Sequence, residues 1–162
     1  MLFRSDHGYT TLSVQMPVLA ATATGDEYPA LFGVAAARLA AAAAFLRAKG
    51  HARIALASHS VGARIGNHFL AAHPELGIAA FVAVGVSSGL FADAERLQVP
   101  VLDIYGAQDF PQVLANADAR ARAIARLKGS AQIEVPAADH YFTGRETELA
   151  QRVRQFLDRT LR

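Results

Sequence analysis

Apolar residues in this chain fall into short, nearly continuous runs set between longer segments of mixed polarity. Residues 9–16, YTTLSVQM, are rich in β-branched and aromatic types and end at Pro17, which predicts a strand. From Tyr28-Pro29 to Lys49 the chain is alanine-rich and reads as a helix, with Pro29 suited to the first turn and Gly50 to the position just past the C-terminus. Residues 53–57, RIALA, predict a short strand, 61–73 a helix closed by Pro74, and 78–84 another strand. Residues 100–105, PVLDIY, give the next strand, 111–128 the next helix, stopped by Gly129, and 131–135 the last strand. Thr143-Gly144-Arg145-Glu146 has the capping-box pattern, in which a threonine hydroxyl and a glutamate carboxylate each accept an orphan helix N–H. A final helix then runs to near Leu161.

Strands that alternate with helices, and are apolar on both faces, imply a parallel sheet covered on each side. The expected fold class is therefore α/β: a three-layer α/β/α sandwich with a mostly parallel sheet of about five strands. No internal repeat, low-complexity linker or composition break interrupts the pattern, so residues 1–162 read as a single domain.

Composition narrows the function classes. A hydrophobic fraction of 52% and a charged fraction of 19% describe a chain able to bury an ordinary core. Of 16 basic residues only Lys49 and Lys128 are lysine. Basic residues gather late, from Arg120 onward, but Asp118, Glu134, Asp139, Glu146, Glu148 and Asp158 lie among them and no aromatic stacking platform accompanies them. That is a solvated, charge-mixed surface, and nucleic acid is not an expected partner. The absence of cysteine excludes disulfides and thiolate chemistry. No apolar stretch reads as long and uninterrupted enough to span a bilayer. Residues 12–23 end in small residues as a signal peptide would, but Gln15 and Pro17 interrupt them, so the cytoplasm is the default compartment.

Candidate chemistry lies at strand ends. Ser58-His59-Ser60-Val61-Gly62 follows a predicted strand and opens a helix, the context of a G-x-S-x-G nucleophile elbow with serine in place of the first glycine. Such a turn holds its serine in a strained backbone conformation, aims the helix dipole at it, and offers the Val61 N–H as an oxyanion donor. Gly85-Val86-Ser87-Ser88-Gly89 matches the pattern literally, but leads into a stub cut off by Pro100 rather than a helix. Ser60 is the expected nucleophile, and GVSSG a small-residue turn at the mouth of the site.

Asp109 follows the strand 100–105 in YGAQD, in the turn beyond a strand's carboxyl end, where open α/β sheets place their ligands. Asp103 lies mid-strand beside Val101 and Tyr105, and is expected to pair structurally with an arginine. Among six histidines, His140 follows the last strand in a loop. His7 and His51 precede strands, His68 and His73 ride a helix, and His59 is expected to point away from Ser60. Ser60, Asp109 and His140 thus complete a nucleophile, acid and base in one chain order.

The combination of TLSVQMP, SHSVGAR, PVLDIYGAQD and ADHYFTGRE resembles the α/β-hydrolases over nearly the whole chain, and looks most like a bacterial α/β-hydrolase-like family of unassigned function. In that fold the acid follows the second strand after the nucleophile strand, which fits Ser60 and not Ser87. The resemblance implies attack of Ser60 on a carboxylic ester, proton transfer through His140 oriented by Asp109, and an acyl-enzyme released by water. The partner is then a small acyl substrate, and no metal or organic cofactor is expected. The resemblance also implies an earlier strand and helix ahead of residues 9–16, with a loop giving a second oxyanion N–H. The chain is accordingly expected to be N-terminally short, with strand edges open to a second copy of itself. Two alternatives stay open: a hydrolase-like binding scaffold of weak or no activity, and amidase or peptidase chemistry on the same residues.

Overall fold

A computed structural model describes residues 2–4, 8–88 and 90–161, with the side chains of 2–4, 25 and 26 outside that description. It falls into two compact units, Met1–Ala52 and Arg53–Arg162. In the first, β1 (Leu2–Arg4) and β2 (Thr10–Leu12) pair antiparallel, with Phe3 opposite Thr11. The strand expected over 9–16 is therefore shorter, and its partner is local. A 3₁₀ segment, Gly25–Leu31, carries Pro29 and leads into α1 (Phe32–Ala48). Gly50 ends that helix at φ +88°, its N–H bonded to Arg47 O at 2.9 Å, a backbone conformation that favours glycine.

The expectation that no stretch could span a bilayer needs one amendment. Glu27–Ala48, with 22 residues and a mean hydropathy of 1.7, is long and apolar enough by length and composition alone. Alanine supplies much of that hydropathy, and Arg38 in mid-helix donates to Gln15 O at 2.6 Å within the same unit.

The second unit holds a four-stranded parallel sheet, β3 (Ala55–His59), β4 (Ala80–Val84), β5 (Val101–Gln108) and β6 (Ala131–Asp139), in that spatial order. The α/β class stands, with four strands in this sheet instead of about five because β2 pairs with β1. Side chains alternate across the sheet, so the register assigns the layers. Leu56, Phe81 and Val101 are register partners, as are Ser58, Ala83, Asp103 and Gln132. On this face lies α2 (Val61–Ala72), close enough that a Cβ on Gly66 would stand 2.9 Å from Phe81 Cε2 and 3.1 Å from Leu56 Cδ2.

Helix 111–128 is observed as α3 (Pro111–Ala115) and α4 (Ala117–Ile124). At the break the Asn116 side chain donates to Gln112 O at 2.9 Å. α4 sends Arg120 onto the same face as Asp103, where Nε meets Oδ2 at 2.8 Å with both side chains fully buried. Gln132 Nε2 donates to the same oxygen at 2.7 Å. Burial pushes the Asp103 carboxyl up from its ordinary value, while the Arg120 charge and these hydrogen bonds pull it back.

The opposite face, Ala80, Val82, Val84, Leu102, Ile104 and Val135, packs on Phe156 of α5 (Glu146–Thr160). Helices on both faces make the second unit a three-layer α/β/α sandwich by itself. The capping box expected at 143–146 is not formed. Arg145 caps α5, Glu146 Oε1 accepts the Gly144 N–H, and the Thr143 N–H goes to Asp139 Oδ1.

Candidate active site

Ser60 stands between β3 and α2 with φ +57° and ψ −125°. A non-glycine residue at positive φ costs of order 1–3 kcal/mol, and persists where its surroundings over-determine it. The Ser60 N–H extends the ladder to Val84 O at 2.9 Å, and its carbonyl accepts the Ala63 N–H at 3.0 Å, so strand and helix claim the two ends of one residue. Val61 is the first residue of α2, and its N–H has no acceptor within the helix. The close approach of strand and helix is made one turn beyond Gly62. A Cβ on Gly62 would meet Ser58 Cβ at an ordinary 3.8 Å, whereas one on Gly66 would stand 3.0 Å from Ser58 Oγ.

Asp109 lies in the turn after β5, its N–H bonded to Gly106 O at 3.0 Å. A register shift between Gly106 and Gln108 aligns the ends of β5 and β6. Gly106 is obligatory there, because a Cβ would lie 2.2 Å from Ala138 O. The loop after β6 then carries His140. Ala137 and Phe142 adopt φ +55° and +56°, and Asp139 Oδ1 accepts the N–H groups of Tyr141 at 3.0 Å and Thr143 at 2.9 Å. The Thr143 main-chain N–H, helped by its hydroxyl, holds the Asp139 carboxyl below its ordinary value.

These three loops bring the expected residues together. His140 Nε2 is 2.9 Å from Ser60 Oγ, and His140 Nδ1 is 2.6 Å from Asp109 Oδ1. His140 and Asp109 are almost wholly buried. Asp109 Oδ1 also accepts the Phe110 N–H at 2.7 Å, and Oδ2 accepts that of Gly106 at a long 3.4 Å. With a carboxylate at Nδ1, the neutral imidazole carries its proton there and leaves Nε2 to accept from the serine hydroxyl.

Gly85, the first residue of the literal G-x-S-x-G match, adopts φ +53°, and a Cβ there would stand 3.1 Å from His140 Cε1 and 3.2 Å from Asp109 Oδ2. The motif's small residue therefore serves the His–Asp pair. Ser88 Oγ donates to Leu90 O at 3.2 Å, and the buried Ser87 Oγ has no hydrogen-bond partner among the described residues.

Sequence reasoning missed the ring cluster around His140. Phe110 stacks on its imidazole with centroids 4.1 Å apart and planes 23° apart, and Tyr141 meets it edge-on at 5.2 Å. His59, set aside as pointing away from Ser60, packs on the same ring at 4.7 Å and bonds the His140 carbonyl at 2.8 Å. The alternation of β3 fixed its direction relative to Ser60, but no local pattern tells which loop lies across from it.

A parallel sheet flanked by helices, with a serine at a strained strand-to-helix turn, has the architecture of the α/β hydrolases, and solved structures agree. A dienelactone hydrolase from Anabaena variabilis is 26% identical, with a TM-score of 0.67 over 81% of this chain and 62% of its own. A protein of unknown function from Agrobacterium tumefaciens, described as a putative alpha/beta hydrolase, is also 26% identical, with a TM-score of 0.58 over 67% of this chain and 51% of its own. A lidless α/β serine hydrolase from Xanthomonas campestris shares the fold at 21% identity and a TM-score of 0.57, over 75% and 55% of the two chains. The chain thus spans about three fifths of the length of the dienelactone hydrolase. No functionally curated protein matches it in sequence. The chain belongs to the family described as "Protein of unknown function (DUF3530)", whose model matches residues 29–159.

Proposed function

We propose that this chain is a serine hydrolase acting on a carboxylic ester through Ser60, His140 and Asp109. The observation that carries the reading is the hydrogen-bonded line from Ser60 Oγ through His140 to Asp109, at 2.9 and 2.6 Å, with the serine at positive φ. His140 Nε2 takes the hydroxyl proton as Ser60 attacks the acyl carbon, and Asp109 stabilises the imidazolium so formed. The Val61 N–H, at the positive end of the α2 dipole, donates to the developing oxyanion. His140 then gives the proton to the departing alcohol, and water repeats the sequence to release the acid and free Ser60. The likeness to a dienelactone hydrolase supports an ester or lactone over an amide.

The alternative of an inert binding scaffold is less well supported. A scaffold gains nothing from holding Ser60 at positive φ or from keeping space for His140 with a glycine at position 85. The reading is tested by assaying the purified chain on short-chain p-nitrophenyl esters. Hydrolysis above the buffer rate that disappears in Ser60→Ala supports it, and a rate unchanged by that substitution refutes it.

A further inference from the structure

Two consecutive residues of the nucleophile strand end bond the same histidine at different points. Ser60 Oγ meets the ring of His140 at Nε2, 2.9 Å away, while His59 Nε2 meets the main-chain carbonyl of His140 at 2.8 Å. A carbonyl can only accept, so the proton of that second bond lies on His59. The neutral Nε2–H tautomer and the imidazolium both donate there, and the bond holds whichever is present. The His59 ring also packs on the His140 ring at 4.7 Å. Burial does not account for a histidine at this position, because His59 is exposed.

The loop bearing His140 needs such a tie. It contains one non-glycine residue at positive φ, Phe142, it follows a second, Ala137, near the end of β6, and its internal bonds run chiefly to Asp139. Asp139 holds the loop's own shape, whereas His59 links that loop to the strand that carries the nucleophile. We infer that His59 is a positioning residue: its Nε2–H, by fixing the His140 carbonyl, sets where the imidazole stands relative to Ser60 Oγ. Strand, nucleophile and base then move as one body, and a shift of the loop cannot lengthen the Ser60–His140 bond independently.

The inference rests on the hydrolase reading for its consequence in turnover, but not for its geometry, so two readouts are needed. Three variants separate donation from packing. His59→Gln places an amide N–H near the position of Nε2, His59→Phe keeps a ring without a donor, and His59→Asn carries an amide too short to reach the carbonyl. A misplacement of about 1 Å at a reacting centre costs on the order of 10²-fold, so kcat should fall about 10- to 100-fold in His59→Phe and His59→Asn. KM should stay within about twofold, since His59 orients the base and does not bind substrate, and His59→Gln should recover most of kcat.

The second readout is the low-field proton resonance of His140 Nδ1–H bonded to Asp109. It should be sharp in the parent chain and in His59→Gln, and broadened or lost in the two non-donating variants. A resonance and kcat unchanged in His59→Phe and His59→Asn would overturn the inference, as would a His59→Gln variant as impaired as they are. If the parent chain hydrolyses no ester, the hydrolase reading fails, and the resonance alone still decides whether His59 positions His140.

Discussion

Replacing Asp109 with asparagine removes a charge while nearly keeping its shape, and the hydrogen bonds of the site indicate how the new amide will lie. Oδ1 takes two strong donors, His140 Nδ1 at 2.6 Å and the Phe110 N–H at 2.7 Å, whereas Oδ2 takes one long contact from Gly106 at 3.4 Å. The asparagine oxygen therefore belongs at the Oδ1 position, with its NH₂ turned towards Gly106. In that orientation His140 keeps its Nδ1 proton, and Nε2 still accepts from Ser60.

What is lost is the attraction between carboxylate and imidazolium in the transition state. Two unit charges about 4 Å apart interact by about 4 kcal/mol at an effective dielectric constant near 20. Both groups are almost wholly buried, so solvent does little to reduce this. At about 1.4 kcal/mol per decade, kcat should fall roughly 10³-fold. Had the amide nitrogen faced His140 and reversed the tautomer, a loss nearer 10⁴-fold would be expected. The assay is steady-state ester hydrolysis, with a thermal melt to show that the fold is kept. A rate within about tenfold of the parent would refute the electrostatic role assigned to Asp109.

Asp103→Asn should act on stability instead, because it removes the carboxylate charge from the buried pair with Arg120. Breaking a buried pair costs about 3–5 kcal/mol, and a domain of this size loses about 2–4 °C in Tm per kcal/mol, so calorimetry should record a fall of roughly 6–20 °C. An unchanged Tm with lost hydrolysis would exchange the roles of the two aspartates. Gly85→Ala combines a strained φ of +53° with a Cβ 3.1 Å from His140, so kcat should fall about tenfold or more while Tm drops modestly. A variant with full activity would show that Gly85 is not needed beside the base.

The strands of the second unit were legible in the sequence because parallel strands buried on both faces read as unbroken apolar runs, as 80–84 does with all five residues buried. Ser60, Asp109 and His140 were legible as candidates because each falls just after the carboxyl end of a strand, and the helix that follows Ser60, together with the resemblance to the α/β-hydrolases, set it apart from Ser87. Features set by non-local contact were not legible. Nothing within residues 9–16 says that 10–12 would pair with 2–4. The break at Asn116 depends on a side chain that competes for its own backbone, a local choice that helical periodicity does not weigh. The capping box failed because α5 begins at Glu146, which makes that residue the first of the helix rather than the third, with Arg145 and not Thr143 at the cap position. The tight approach at Gly66 became visible only once Phe81 and Leu56 were placed opposite it. The contact of His59 with His140 was not legible for a related reason: strand alternation gave the direction of His59, but its partner lies 81 residues away.

Whether Ser60 is an activated nucleophile is decided by covalent labelling with a fluorophosphonate, the modified residue being located by peptide mass spectrometry. A single adduct on Ser60 is expected, absent in Ser60→Ala and undiminished in Ser87→Ala. An adduct on Ser87, or labelling that survives the loss of Ser60, would contradict it.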